Sequence, residues 1–535
     1  MDYQLLLDNK EKSIFTNLNN KSLKPTNKDL VKIYNYFLHK GYYNIVSIQI
    51  INLITTIFLI FMLLVLTYCV DYHGLIELKS GESYLYNYVN LNNLARHDRF
   101  YIICLLIFFF YCVVRMSSIL SDIKNYKKVK DYLNNINISD QRIGSIKWQK
   151  IIDILEREHG EDYNAFNINM RILKKDNIMI DLFNTKISKF LYMGLMEWNI
   201  SYCIINILFD DNYNIKDDVF NNEDKVIHDI HRNLITISIL TYIFMPFIMI
   251  YMMVFSLLKY GEKFYNNPER IFSRQWSIRA KWKHRYFNEM KHEVNERLDI
   301  SSRYARDYCN QFNSKVIETI SKFAIFIASA FFIIFLLFSL INEHLLLNLN
   351  ITDSRPILWY MGILGSIIAL GKNINKERRR NEITENYDKL ISSMKYLETN
   401  NKNEINKDIN QLKKIKKNFE YQFFTLMKEC LLIITLPFAL IYICNYVEPI
   451  VKYIKNGLER DSNLGIINKK SNYKRMNTDT DIKIIISFKE FKEKYNWGQN
   501  IEDFILNSNI NYKNYESLTC EESDSNMESN LSLII

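Results

Sequence analysis

Glycine and proline are scarce in this 535-residue chain, with 13 and 6 copies, which excludes collagen-like, proline-rich and loop-dominated architectures. The eight cysteines form no Cys-x-x-Cys pair, and five of them fall within apolar runs. Neither a disulfide scaffold nor a zinc framework is expected. His228 and His231 have helical spacing but no third ligand near them in sequence, the pattern of a solvated helix face. The segment Gly365 to Lys372 (GSIIALGK) has the wrong glycine spacing for a phosphate loop, and no Ser or Thr follows its lysine. No motif for ATP hydrolysis emerges, so any transport is expected to be passive, with no cofactor and no metal. Charge of one sign is lacking too. The 68 basic and 59 acidic residues leave a net charge of +9, a modest excess that does not call for nucleic acid.

What is present is apolar and bunched. Hydrophobic residues make up 48% and aromatics 14% of the chain, so a mean hydropathy of −0.14 averages two unlike kinds of segment. Nothing between Lys40 and Asp71 is charged, and residues 45–70 are almost wholly apolar, long enough for a hydrocarbon core of about 30 Å. Further apolar runs cover about 98–120, 233–258, 320–342, 356–371 and 430–447. The first lies too far from Met1 to be a secretory signal. The chain reads as an all-α integral membrane protein.

Loop charge then assigns sides. Residues 1–44 hold seven Lys against four acids, and loop 71–99 three bases against four acids. Loops 259–322 and 372–429 carry 14 basic residues each. Both become cytosolic if 233–258 enters the membrane and returns on the same side, and the same argument makes 430–447 re-entrant. Pro246 and Pro437 lie inside these two runs, where each can break a helix. The alternative is that 233–258 is an ordinary kinked span. The expected architecture is therefore four transmembrane helices plus two re-entrant ones, with large cytosolic helical segments. A cytosolic tail over 1–28, a membrane core over 29–455 and a partly disordered cytosolic tail over 456–535 follow.

Several smaller patterns stand out. Trp282, Tyr286, Met290, Val294 and Leu298 recur at i, i+4 spacing over 278–312, with Arg279, Lys283, His284, Lys291 and Arg297 on the rest of the wheel. This is a helix packing on its neighbours, or one at the headgroup boundary with its bases near phosphate. Gly362, Gly365, Ser366 and Ala369 form a small-residue stripe that favours helix packing or oligomerisation. Tyr3, Leu6 and Leu7 fit tyrosine-based and acidic-dileucine sorting signals, and Asn350-Ile351-Thr352 is a glycosylation sequon.

Segments in shared order resemble the autophagy-related protein 9 family. They include Tyr34-Asn35-Tyr36, Lys40-Gly41-Tyr42 and Cys69-Val70-Asp71-Tyr72, then Asn167 to Asn184 with Asp181 where the family usually has Ala. Met196 to Asp210 follows, resembling the family's Leu-Glu-Trp-Asn element, and Leu358 to Ser366 resembles its last span. Most specific is Tyr265 to Phe312, with Asn267-Pro268, Ser273-Arg274-Gln275-Trp276, Trp282, Phe287-Asn288-Glu289, His292, Arg297-Leu298 and Ala305. The resemblance implies a domain-swapped homotrimer with both termini cytosolic, resident on the preautophagosomal membrane, cytoplasmic vesicles, Golgi and endosomes. It implies a non-enzymatic, ATP-independent phospholipid scramblase for autophagosome assembly, supplied by autophagy-related lipid-transfer protein 2. Adaptor complexes are expected on the N-terminal tail.

A headgroup cannot cross hydrocarbon unaided, because burying unpaired polar groups costs several kcal/mol. A polar groove beside a re-entrant helix solves this. Lys259, Lys263, Asn266, Asn267, Arg270 and Arg274 follow the 233–258 run and Ser366 lies in the last span, so these are the lipid-path candidates. Two other classes compete: a membrane scaffold that recruits autophagy partners without lipid flux, and a channel or transporter. The stretches 41–70, 100–114, 233–258, 323–342, 356–371 and 430–447 hold no Asp, Glu, Lys or Arg, which counts against ion-coupled transport.

Overall fold

The computed structural model describes residues 24–76, 88–90, 99–183, 194–266, 273–311, 315–341, 350–352, 355–374, 383–394, 405–475 and 481–497. The described chain is mostly helical. Thr26 opens α1 (Asn27–Leu38) with a capping box, accepting from the Asp29 amide at 3.3 Å while the Asp29 carboxylate accepts from the Thr26 amide at 3.1 Å. Gly41 then turns the chain with φ +112°, a conformation that side chains resist. There is also no room for one, since a Cβ on Gly41 would lie 2.6 Å from Asp140 Oδ1.

Helix α2 (Tyr42–Leu64) continues as a π turn over Val65–Cys69. It pairs with the 37-residue α3 (Arg99–Asn135), and bonds between Cys69–Asp71 and Tyr88–Asn90 tie the exit of α2. Both open ends of this hairpin sit in one core cluster: Ile45 at the start of α2, and Val129, Tyr132 and Leu133 at the end of α3. That cluster also takes α1, α4 (Trp148–His159) and much of α5 (Ala165–Phe183).

A second cluster gathers the end of α5, α6 (Gly194–Ile200), the start of α7 (Glu223–Asn266) and the end of α14 (Gln422–Cys444) with α15 (Val447–Gly457). Ribbon β1 (Arg274–Trp276) leads into α8 (Ile278–Lys283) and α9 (Lys291–Gln311). With α12 (Ile383–Met394), α13 (Ile405–Asn418) and β4 (Phe419–Tyr421) these build a third cluster. Trp282 packs against the first two clusters, while α9 runs from Met290 in the first to Val294 in the third, so the three form one body. Outside it stands a hairpin of α10 (Lys315–Ile341) and α11 (Ile357–Ile374), tipped by β2 (Asn350–Thr352) and β3 (Arg355–Pro356).

The helices long and apolar enough to cross a membrane, among the described residues, are Tyr42–Cys69, Glu223–Ser256, Thr319–Ile341 and Met427–Cys444. Two coincide with expected spans and two with the expected re-entrant runs. The run 98–120 forms the first part of α3 from Arg99 onward, and Ile357–Ala369 is a shorter apolar helix. These helices expose bulky apolar side chains, such as Phe110 at 69%, Phe326 at 73% and Ile341 at 78%, which in water would be untenable over so wide a belt.

Three expectations change. The breaks foreseen at Pro246 and Pro437 are absent: α7 and α14 run uninterrupted through both. A proline removes one helix hydrogen bond without having to end the helix, and here α7 and α14 pack along each other, with Ser238 Oγ donating to the Pro437 carbonyl at 2.8 Å across the pair. The expected helix over 278–312 is instead two helices, α8 and α9, separated around Asn288 at φ +57°. Finally, the folded body runs past the core boundary placed at 455. Hairpin β5 (Leu458–Asp461) and β6 (Gly465–Asn468) and helix α16 (Ile482–Tyr495) follow, and Ile484, Phe488, Phe491 and Tyr495 are buried in the first cluster.

Candidate lipid-facing site

At bilayer depth, α2 presents polar groups at positions 49, 52 and 56, which share a helix face. Gln49 Nε2 donates to Asp122 Oδ2 of α3 at 3.2 Å, while its Oε1 is buried with no hydrogen-bond partner. Thr56 donates to the Asn52 carbonyl at 2.9 Å. The Tyr251 hydroxyl of α7 approaches Thr56, and Tyr111 of α3 lies nearby. Gln49, Asn52, Thr56 and Tyr251 thus form a ladder of uncharged hydrogen-bonding groups where α2, α3 and α7 meet, with the Asp122 carboxylate of α3 at its Gln49 end. Sequence reasoning missed it by looking just beyond the 233–258 run and in the last span; the i, i+3, i+7 spacing of Gln49, Asn52 and Thr56 was the signal.

The α7–α14 pair is antiparallel and held at both ends. Lys455 of α15 bonds Glu223 at the start of α7 at 2.7 Å. At the other end the Gln422 amide donates to the Ser273 carbonyl at 3.0 Å, continuing the β1–β4 register Arg274↔Tyr421 to Trp276↔Phe419. Arg274 works within this ribbon: Nη1 donates to the Phe419 carbonyl at 3.1 Å and the guanidinium lies 4.0 Å over the Tyr421 ring. Lys259, Lys263 and Asn266 fall on the last turns of α7. Asn267 and Arg270 lie outside the described residues, as do Tyr3, Leu6 and Leu7.

Of the three glycines on α11 the most tightly packed against α10 is Gly371, which the small-residue stripe did not include. A Cβ there would lie 2.4 Å from Ile325, and Ser321 Oγ donates to the Gly371 carbonyl at 3.3 Å. Gly365 faces Phe332 at 3.8 Å, Gly362 faces open space, and Ala369 is half-buried. Ser366 donates to the Gly362 carbonyl at 2.8 Å.

Within the body a polar core joins α5 to the α8–α9 segment, α15 and the β6 region. Asn177 Nδ2 donates to Asn288 Oδ1 at 2.8 Å, and the Asn288 amide donates back to Asn177 Oδ1 at 3.0 Å. Arg285 pairs with Asp176 at 2.8 Å and Arg297 with Glu289 at 2.7 Å. Both arginines, with buried His284, are turned inward, so this part of the 278–312 segment packs on its neighbours and does not offer its bases to phosphate. Asp181 is buried and receives the Lys470 ammonium at 2.7 Å, the Tyr453 hydroxyl at 2.9 Å and Asn468 Nδ2 at 3.1 Å. Burial alone would lower the Lys470 pKa, but the Asp181 carboxylate outweighs it and holds the ammonium above the ordinary lysine range. Burial pushes Tyr453 up to about 12. Burial lowers His292 to about 4, and its ring lies 3.0 Å from the Tyr34 hydroxyl.

The family model described as autophagy protein ATG9 matches residues 26–473. The chain belongs to the ATG9 family. It is 29% identical over 364 residues to autophagy-related protein 9 of Dictyostelium discoideum, covering 64% of this chain and 52% of that protein. To autophagy-related protein 9 of Saccharomyces cerevisiae (strain S288c) it is 23% identical over 479 residues, covering 84% of this chain and 48% of the relative. The chain spans about half the length of these curated relatives. The cryo-EM structure of Schizosaccharomyces pombe Atg9 shares the fold, with a TM-score of 0.61 at 19% identity over 84% of this chain and 99% of that one. The protein is accordingly a multi-pass membrane protein of an autophagy family.

Proposed function

We propose that this protein is an ATP-independent phospholipid scramblase serving the assembly and expansion of autophagosome precursor membranes. The observation that carries this reading is the Gln49–Asn52–Thr56–Tyr251 ladder: uncharged hydrogen-bonding groups at membrane depth, flanked by helix faces that expose apolar side chains. A headgroup moving along such a ladder exchanges water for side-chain partners while its acyl tails stay in hydrocarbon, which lowers the desolvation cost of crossing. The four ladder side chains are uncharged, and the carboxylate beside them, Asp122, is engaged by Gln49 at one end.

The ends of the α7–α14 pair support a re-entrant placement. Glu223–Lys455 and Ser273–Gln422 both fix the pair to the same folded body. Loop 259–322 follows α7 and loop 372–429 precedes α14, and with 14 basic residues each both belong on the cytosolic side, so in this reading the pair enters from the cytosolic face and returns to it. Lys259, Lys263, Asn266, Asn267 and Arg270, at and beyond the end of α7, then meet headgroups at the mouth of the path, with Ser366 on α11 deeper in. The protein works as a homotrimer with both termini cytosolic, on vesicles of the Golgi, endosomes and the preautophagosomal membrane. It receives lipid from autophagy-related lipid-transfer protein 2 and engages adaptor complexes through Tyr3, Leu6 and Leu7. The test is reconstitution into liposomes carrying a fluorescent lipid in both leaflets. An impermeant quencher should bleach well beyond half of the signal, whereas a plateau at half, as in empty liposomes, leaves a scaffold without lipid flux.

A further inference from the structure

Helix α6 and the π turn that extends it, Ser201–Ile205, bury one face in the second core cluster through Met196, Ile200, Cys203 and Ile204. The other face is aromatic. Trp198 is 59% and Tyr202 45% exposed, and their rings stack at 5.4 Å with planes 10° apart. A second aromatic pair stands at the end of α14, where the Tyr442 and Tyr446 hydroxyls lie 2.8 Å apart and Tyr442 is exposed. Helix α6 contacts α14, and Cys203 and Cys444 are buried in the same cluster, which puts both pairs at about one height.

That height is a boundary. Ser238 meets Pro437 in the antiparallel α7–α14 pair, so the level of Cys444 falls on α7 near Arg232, which is ion-paired to Asp229 at 3.0 Å. Above it the exposed faces are apolar (Ile235, Ile239, Phe438, Ile441). Below it lie the charged Glu223, Glu448, Lys452 and Lys455. Rings with an apolar body and a polar tip gather at this level in membranes, where the body meets the acyl chains and the tip meets water and headgroups.

We propose that Trp198, Tyr202, Tyr442 and Tyr446 form an aromatic collar that sits at the glycerol and headgroup level of a phospholipid bilayer and sets the depth of the α7–α14 pair. The surface is continuous with the lipid-facing helix faces, which favours a bilayer over a protein partner. The collar requires that the chain is membrane-embedded, and it stands even if no lipid is scrambled.

The full chain in phosphatidylcholine liposomes tests it through tryptophan emission, with the Trp198 contribution taken as wild type minus Trp198→Phe. That contribution should be quenched strongly by lipids brominated near the glycerol, weakly by lipids brominated at the acyl end, and hardly by aqueous acrylamide. Free quenching by acrylamide with no effect of brominated lipid overturns the collar and marks a solvent-facing or protein-docking surface. Strongest quenching at the acyl end overturns the assigned depth. Tyr202→Trp in the Trp198→Phe background moves the reporter one position along the stack and should give the same ordering. It supplies the readout if Trp198 emission is quenched internally by its stacked neighbour.

Discussion

The Asp181 carboxylate lies 2.7 Å from the Lys470 ammonium, two residues 289 positions apart in the chain. Asp181 stands where the family resemblance leads one to expect alanine, and the substitution has a physical account: the carboxylate collects Lys470, Tyr453 and Asn468 and fastens the β5–β6 hairpin to α5. Asp181→Ala strands a mostly buried ammonium. With the Lys470 side chain about a third exposed, the expected loss is about 2–3 kcal/mol, below the 3–5 typical of a fully buried pair. Thermal unfolding in detergent should show it. Asp181→Ala with Lys470→Met should recover part of the loss, because the stranded charge is then gone.

The docking of α16 should depend on pH. Lys483 is buried in the body and donates to the Lys283 carbonyl at 3.0 Å. Burial depresses its pKa to about 7 from an ordinary 10.5, with Asp481 opposing and Lys283 assisting. The unfolded state therefore binds more protons than the folded one between those two values, so stability rises with pH across that window and is flat below about 7. His292, lowered to about 4 from 6.5, adds a separate loss as pH falls through that lower window. Hydrogen exchange across 482–495 should slow as pH rises from 7 to 10, after correction for intrinsic exchange, and Lys483→Met should abolish that dependence.

Gly41→Ala should cost about 1–3 kcal/mol, the scale of backbone strain at a site that excludes a side chain. The backbone is at φ +112° and the new methyl would meet Asp140, whose Oδ1 also accepts from the Tyr42 amide at 3.0 Å and from Tyr36. Ala at Gly144, where only Lys40 comes within 4 Å and φ is ordinary, should be near neutral in the same melting assay.

The α10–α11 hairpin offers a similar contrast. Gly371→Val forces a branched side chain into Ile325 and should destabilise by about 1–3 kcal/mol, as overpacking does. Gly362→Val meets open space and should leave the melting temperature in detergent unchanged.

Much of the membrane architecture was legible because lipid imposes a length and an absence of charge on every segment it contacts. The runs 45–70 and 320–342 need nothing else. The prolines at 246 and 437 do not end α7 or α14, since a helix packed along a neighbour can tolerate the one hydrogen bond that a proline removes, and a local rule does not see that packing. The core beyond 455 was missed for want of a long periodic stretch, although Ile484, Phe488, Phe491 and Tyr495 carry helical spacing. Long-range polar contacts such as Asp181–Lys470 and Asn177–Asn288 leave no pairwise trace in one sequence. The contacts of Arg274 with the Phe419 carbonyl and the Tyr421 ring likewise join residues about 145 positions apart, which no local pattern shows.

The central claim is that lipid moves along the polar ladder of α2. Its most direct test is the liposome quenching assay on wild type beside the Gln49→Leu, Asn52→Leu, Thr56→Val triple variant, both checked for unchanged melting. Wild type should bleach well beyond half of the signal, and the variant should slow the second phase markedly. A wild type that stops at half, or a well-folded variant that scrambles at the wild-type rate, contradicts the account.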